Sequence, residues 1–462
     1  MYEVLVIATP TLGDRSYLVH DGTVAFVVDP QRDIDRALAA AEQHGVRVTD
    51  VFETHIHNDY LTGGYALARL CEARYHVNAD DPVAFERQPL GDGDRVQVSP
   101  SMAVRAVATP GHTHTHLAFV LEHEGETVGV FSGGSLLYGS TGRPDLLGPD
   151  HTDVLVHAQW ASAHRLAASA PDTAAVFPTH GFGSFCAANQ SEATWSTIGT
   201  ERRTNPVLAQ DEEAWVEGLL AGLDAWPAYY AHMAPRNLAG PEAADLSAPT
   251  AADAGQVRRR ISAGEWVVDL RHRKAFCAGH VPGTLNVGLD GNFATYLGWV
   301  IPWGTPLTIL GETVEDVASA QRELSRIGID RPSAAIGGLD AWSGGTGRGV
   351  LPRGSFADLA TVMGKRTVEV VDVRRRLEWA DGHIQGARHI PLQELGGRAD
   401  EVADREVWVH CRSGYRAAIA ASVLARAGRR VVLVDDDFSV AANAGLNITA
   451  PSTGGPRDGP AQ

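Results

Sequence analysis

The chain has 462 residues and a net charge of −17, a length that suits about three domains. Apolar residues make up 44% and charged residues 21%, so each domain can bury a core, and the acidic balance argues against nucleic acid as a partner. Four cysteines in a chain this long give no disulfide framework. No run approaches about 18 apolar residues and nothing at the start reads as a signal sequence, so a reduced, cytoplasmic protein with no membrane span is expected.

In chain order, residues 1–235 read as one α/β unit. The runs VLVIAT, VAFVVDP, RVTDVFETH, AVRAVATPGH, LAFVLE and TVGVFSGG predict strands, and 34–44 and 152–168 predict helices. A stretch rich in Pro, Ala and Asp predicts a linker over 236–252. Two divergent copies of one segment follow, VVDLRHRKAFCAGHVPGTLN from Val267 and VVDVRRRLEWADGHIQGARH from Val370. They define domains at 253–350 and 354–450, each expected to be a small doubly wound parallel sheet. Residues 451–462 have the composition of a disordered tail.

The first unit places histidines after its strand-like runs. His55 and His57 lie in THIHNDY with Asp59 and Tyr60 beside them, His112 lies in TPGHT, and His180 lies in FPTHG. Imidazoles and a carboxylate brought together from separate strand ends are how α/β metal sites are assembled. Three neighbours leave two readings each. Arg143, in GRPDL, either holds an anionic substrate or pairs locally with Asp145. Cys186, just beyond His180, either accepts sulfur from substrate or packs. His116 either orients a ligand or lies exposed.

This set resembles the metallo-β-lactamase fold, whose motif runs HxHxDH followed by His, Asp and His. Within that superfamily the persulfide dioxygenases look closest, on GRPDL (142–146), THGFGSFC (179–186) and TIGTERRTNPVL (197–208). The resemblance implies an αββα sandwich and a single Fe(2+) held by the first motif His, the TPGHT His and an Asp, which are His55 and His112 here. The chain departs from the pattern twice. Tyr60 stands at the motif's last His, and Gly134, in FSGGSLL, stands where the ligating Asp is expected. Three outcomes stay open. His55, His57 and His112 could form a three-imidazole centre for Fe(2+) or Zn(2+), Asp59 or a water could fill the vacancy, or the site could be weak or empty. His180 is a further candidate ligand. Without a bridging carboxylate, a two-metal hydrolase centre is disfavoured.

The second repeat runs VWVHCRSGYRAA, with Cys411 between a strand and a helix; the first has Gly311-Glu312 at that place. A cysteine at such a junction meets unpaired backbone N–H groups and the positive end of the helix dipole. Arg412 and Arg416 add charge, and all of these favour a thiolate or an anionic adduct. The loop resembles that of rhodanese sulfurtransferases. The resemblance implies that Cys411 carries a persulfide with Arg416 assisting, while Arg412, Ser413 and Gly414 bind the substrate anion. It also implies that the first repeat is an inactive rhodanese-like domain, a spacer or docking surface.

The function expected is therefore oxidation of a small-molecule thiol persulfide at a mononuclear metal, with sulfane sulfur passed through Cys411. Two alternatives stand beside it: a metal-dead module serving a sulfurtransferase or carrier, and a single-zinc thioester hydrolase. A homo-oligomer is left open; a membrane partner is not expected.

Overall fold

Alternation inside the apolar runs decides the architecture of the first unit. The computed structural model describes residues 1–189, 191, 193–345 and 347–449; the expected tail at 451–462 lies outside them. Strands β1 (Glu3–Thr9), β2 (Asp14–His20), β3 (Val24–Val28), β4 (Arg47–Phe52), β5 (Arg74–Asn78) and β6 (Gln88–Leu90) form one sheet in that order. Strands β7 (Arg95–Gln97), β8 (Met102–Ala108), β9 (Leu117–His123), β10 (Glu126–Gly133) and β11 (Ala175–Pro178) form a second, ordered β11-β10-β9-β8-β7.

Successive side chains on a strand point to opposite faces. Tyr17, Val19, Phe26, Val28 and Phe52 of the first sheet thus meet Val104, Ala106, Phe119, Leu121 and Phe131 of the second in one core. Leu18, Ala25, Val27 and Val51 face the other way, onto the helices Asp35–His44 and Gly64–Cys71. On the second sheet Val107, Ala118, Val120, Val130 and Val176 pack under the helices Pro149–Ala168 and Glu212–Gly222. The result is an αββα sandwich. Its inner layer is aromatic: Phe26 and Phe52 meet edge to face at 5.5 Å, and each fully buried ring contributes about 2–3 kcal/mol.

The site-bearing residues all follow strands. Asp29 follows β3, residues 53–60 follow β4, His112 follows β8, Gly134 follows β10 and His180 follows β11.

The two repeats fold alike because they share the same local devices. Each opens on a capping box, Asp253 with Gln256 for the helix Ala254–Ser262 and Ser355 with Asp358 for the helix Phe356–Met363. In each, the first long strand ends on Asp, and that Asp pairs with the Arg two residues on, Asp269 with Arg271 and Asp372 with Arg374. The same Arg reaches the carbonyl of the Gly-His turn, at 2.8 Å to Gly279 and 2.7 Å to Gly382. The repeated D-x-R…G-H pattern is thus a single brace. Both sheets are wholly parallel. The first runs Leu285–Asn286, Trp266–Asp269, Leu307–Gly311, Ser333–Ile336. The second runs Arg353–Gly354, Arg430–Val434, Glu406–His410, Glu369–Asp372, Arg388–His389.

The described residues divide into two compact units, 1–248 with 321–331 and 249–320 with the remainder from 332. The linker expected at 236–252 is shorter than its composition suggested. The helix Tyr230–Ala239 runs into it, and Ala252 already bonds the Ala334 carbonyl at 2.7 Å. Among the described residues no helix is long and apolar enough to cross a membrane.

Candidate metal centre and cysteine loop

Three imidazoles converge in the first unit. Ligating atoms of His55, His112 and His180 lie within 4.8 Å of one another, and all three residues are buried, at 1%, 0% and 0% exposure. Hydrogen bonds fix their tautomers. Thr54 Oγ1 donates to Asp29 Oδ2 at 2.7 Å, so it accepts from His55 Nδ1 at 2.9 Å. His112 Nδ1 donates to the Arg143 carbonyl at 2.9 Å. His180 Nδ1 donates to Asp14 at 2.9 Å and lies 3.2 Å from Asp59. Each ring thus holds an Nδ1 proton on an outer partner and turns Nε2 to the others, the arrangement in which outer partners orient metal-ligating histidines. Burial opposes charge on His180, but Asp59 and Asp14 raise it to about 9, so its Nε2 must give up a proton to ligate. His55 Nε2 and His180 Nε2 are 3.4 Å apart, and His112 Nε2 is buried with no hydrogen-bond partner. That orphaned nitrogen and its neighbours fit a single divalent ion with imidazole preference.

His57, expected in this trio, is not in it; His180 takes that place. The segment after β4 is irregular, so i and i+2 do not share a face. His57 Nε2 turns to Glu53 at 3.2 Å, Asp29 at 3.4 Å and the Tyr60 hydroxyl at 3.0 Å. Burial opposes its charge, but Asp29 and Glu53 raise it to about 10. Its Nδ1 has no hydrogen-bond partner, and His57, Asp59 and His180 form a second close group. Tyr60 is fully buried and holds no place for a ligand. Asp59 is 1% exposed and is held well below the usual carboxylate range; burial opposes this and His180 causes it.

Gly134 is not simply a missing carboxylate. A Cβ there would lie 2.3 Å from His112 Cδ2, so the imidazole fills the space a side chain would need. The backbone cannot retreat. Gly134 N–H donates to His116 Nε2 at 3.0 Å, and its carbonyl accepts from Gly142 N at 2.8 Å and Gln159 Nε2 at 3.2 Å. His116 is thus buried, with its Nδ1 on Thr109 at 2.8 Å, and it pins the loop.

Arg143 resolves towards the local pairing. It holds Asp145 through two bonds, at 2.6 and 2.7 Å, and reaches the Phe185 and Asp224 carbonyls. Cys186 is fully buried. Burial, then Asp59 and Asp14, hold its thiol well above the ordinary value, so it is a neutral thiol beside the centre. The loop carrying His180 and Cys186 is clamped to the first hairpin. Arg15 N donates to the Thr179 carbonyl at 2.8 Å and Phe182 N to the Gly13 carbonyl at 3.1 Å. Gly13 has φ +77°, and a Cβ on it would meet Ser184 N at 2.0 Å.

In the second unit, Cys411 ends the strand Glu406–His410 and is 1% exposed. Its Sγ accepts from Gly414 N at 3.2 Å, the amide that opens the helix Tyr415–Arg426. Arg412 and Ser413 are exposed on the loop, while Gly414 is buried. Arg416 was expected to lend its charge to the sulfur. It pairs with Glu378 through two bonds, one at 2.5 Å and one at 2.7 Å, and also lies within reach of the Cys411 charge. At the equivalent place the first repeat has Gly311 and Glu312 after the strand Leu307–Gly311.

Residues 12–180 match the metallo-beta-lactamase superfamily, and residues 253–344 and 355–443 each match the rhodanese-like domain. The chain is a metallo-β-lactamase fold followed by two rhodanese-like domains. A metallo-beta-lactamase structure from Staphylococcus aureus subsp. aureus COL is similar over 73% of this chain and 98% of its own, with a TM-score of 0.64 and 26% identity. The structure of ETHE1 from Myxococcus xanthus covers 51% of this chain and 98% of its own at 25% identity, with a TM-score of 0.44. A hydroxyacylglutathione hydrolase from Stenotrophomonas maltophilia (strain R551-3) is 37% identical over 128 residues, which are 27% of this chain and 47% of that protein. The chain thus spans about half the length of the curated relatives it matches.

The Glu378–Arg416 pair braces the second rhodanese domain and makes its stability depend on pH. Burial alone would raise Glu378, but Arg416 brings it down to about 2. A carboxyl lowered on folding stabilises fully above its unfolded value of 4.5, and that stability is lost as pH falls towards 2. The full difference is worth at most roughly 3 kcal/mol. Unfolding of the parent and of Glu378→Gln should differ clearly at pH 7, and the gap should narrow between pH 4.5 and 2. A constant gap across that window contradicts this account.

Proposed function

We propose that the chain handles sulfane sulfur at two sites: the metallo-β-lactamase unit oxidises the outer sulfur of a small thiol persulfide with O2, and Cys411 carries sulfane sulfur. The observation that carries the reading is the close grouping of ligating atoms on His55, His112 and His180, with no room at Gly134 for the carboxylate that a two-metal hydrolase needs. The motifs 142–146, 179–186 and 197–208 and the rhodanese loop support the sulfur assignment.

His55, His112 and His180 would hold one ion, with Thr54, the Arg143 carbonyl and Asp14 keeping the rings turned to it. When bound, Fe(2+) would supply the redox chemistry between dioxygen and sulfur; Zn(2+), which the same donors accept, has none. The residues' own part is to exclude bulk water through full burial and to hold donors without reorganisation. Overall, RSSH, O2 and H2O give RSH, sulfite and two protons. At Cys411, the thiolate attacks the outer sulfur of a donor, a new S–S bond forms, and the donor thiol leaves with the electron pair of the broken bond. Before the attack, Gly414 N–H faces the thiolate sulfur. Covalent linkage of the two units keeps the sites at high effective concentration.

The test is oxygen uptake by iron-loaded protein given glutathione persulfide, with His55→Ala and Cys411→Ser beside it. Uptake should vanish in the first variant and persist in the second, while Cys411→Ser should abolish thiosulfate:cyanide sulfurtransfer. No uptake above His55→Ala overturns the oxidising half.

Two observations favour other readings. The matched curated relatives are named hydroxyacylglutathione hydrolases, and Asp59 groups with His57 and His180; a single-zinc thioester hydrolase would show zinc, thioesterase turnover and no oxygen uptake. Gly134 favours a metal-free module, which would leave sulfurtransfer at Cys411 alone.

A further inference from the structure

The rhodanese repeat with no cysteine in its loop reaches into the loop of the one that has it. Arg273 begins the helix Arg273–Ala278 of the first repeat. Its Nε donates to Asp435 Oδ1 at 2.5 Å, and its Nη2 to the Ser413 carbonyl at 3.4 Å. Asp435 follows the strand Arg430–Val434, has a side chain only 4% exposed, and also takes Arg353 Nη1 at 2.9 Å. Both groups press on Gly414. A Cβ there would lie 2.6 Å from Asp435 Oδ1 and 3.0 Å from Arg273 Nε, and Gly414 has φ +92°. Gly414 in turn supplies the amide on Cys411 Sγ. Asp435 is thus packed against the residue whose amide meets the sulfur, and Arg273 and Arg353 are the cations that offset its charge there.

We propose that Arg273 is a positioning residue for Cys411: it offsets Asp435 and tethers the Ser413 carbonyl, so that Gly414 N–H stays aimed at the sulfur and sulfur loading requires both repeats. This rests on the reading of Cys411 as a sulfur carrier. Arg416, paired with Glu378, acts from within the second repeat and so does not link the two repeats. Arg412 lies in the loop itself but is exposed, and Tyr296, from the helix Phe293–Val300 of the first repeat, adds a phenol that burial pushes up.

Removing the Arg273 charge leaves the repeats docked. Tyr415 Oη still donates to the Gly288 carbonyl at 2.6 Å, and Ser422 Oγ still accepts from Asn286 N at 3.1 Å.

The experiment uses the full chain as parent, Cys411→Ser, Arg273→Gln, Arg273→Lys and the double variant Arg273→Gln/Asp435→Asn. Thiosulfate is the sulfur donor, and added sulfur is read on the Cys411 peptide by mass. If the parent takes up no sulfur, the carrier reading fails, whatever Arg273 does. Given loading, Arg273→Gln should load about tenfold more slowly at pH 7, and the midpoint pH of Cys411 alkylation by iodoacetamide should rise about one unit. Arg273→Lys should restore most of both, and the double variant should return the midpoint towards the parent's. A merely structural arginine would lower the melting temperature and leave the midpoint in place. An unchanged midpoint and loading rate in folded Arg273→Gln overturn the proposal. If that variant does not fold, a double variant still shifted by a full unit overturns it equally.

Discussion

His180→Ala protein purified without oxygen should carry less than roughly a tenth of the parent's metal, since even partners behind the ligands change affinity about 10–100-fold. The expectation follows from geometry. His180 is the third ring whose Nε2 faces His55 and His112, and Asp14 and Asp59 fix its proton on the other nitrogen. The His57→Ala protein is the informative companion. His57 lies between the buried carboxylates of Asp29 and Glu53, so its loss leaves negative charge uncompensated in the interior, at a cost of about 3–5 kcal/mol. Both variants strand buried carboxylates and should lose stability, His180→Ala those of Asp14 and Asp59, but only His180→Ala should also lose its metal. Elemental analysis and thermal unfolding of both read the difference. Full metal occupancy in His180→Ala would show that the trio is not the binding set.

Gly134→Asp should fail to supply the carboxylate that the resemblance led us to expect at this place. Its Cβ would fall 2.3 Å from His112 Cδ2, and three hydrogen bonds hold the Gly134 backbone where it is. Overpacking of this kind typically costs about 1–3 kcal/mol, and relief comes most readily by swinging His112 off the Arg143 carbonyl. The variant should lose both stability and metal. A gain in metal content, with the melting temperature maintained, would show that the ring moves aside without cost and that the vacancy is real.

These two sites show what the residues reveal alone and what they do not. The strands β3, β8, β9 and β10 are legible because long apolar runs end in turn residues. Strand β2, DRSYLVH, is not, since it opens on Asp, Arg and Ser; pairing with β1 from Thr9↔Asp14 to Glu3↔His20 makes it a strand. The four histidines stand out as a set, yet the spacing of His55 and His57 does not show which ligating atoms group together. Their backbone is irregular, and His180, which groups with His55 and His112, comes from the far end of the second sheet. Asp14 and Asp29 escape notice for the same reason: each acts on a residue distant in sequence. Asp29 did leave a signal, an acid closing an apolar strand before a proline, and it has φ +49°. Cys411 and its loop are contiguous and so could be read outright. Arg273 could not, because its partner Asp435 lies in the other repeat.

The turn at Gly13 has one further result. Because the Thr179 and Gly13 carbonyls are tied to Arg15 and Phe182, the segment bearing His180 cannot lift without unzipping the beginning of the polypeptide. Fraying of that hairpin is therefore a route by which the cage would open, and loosening it should speed exchange of what the centre holds.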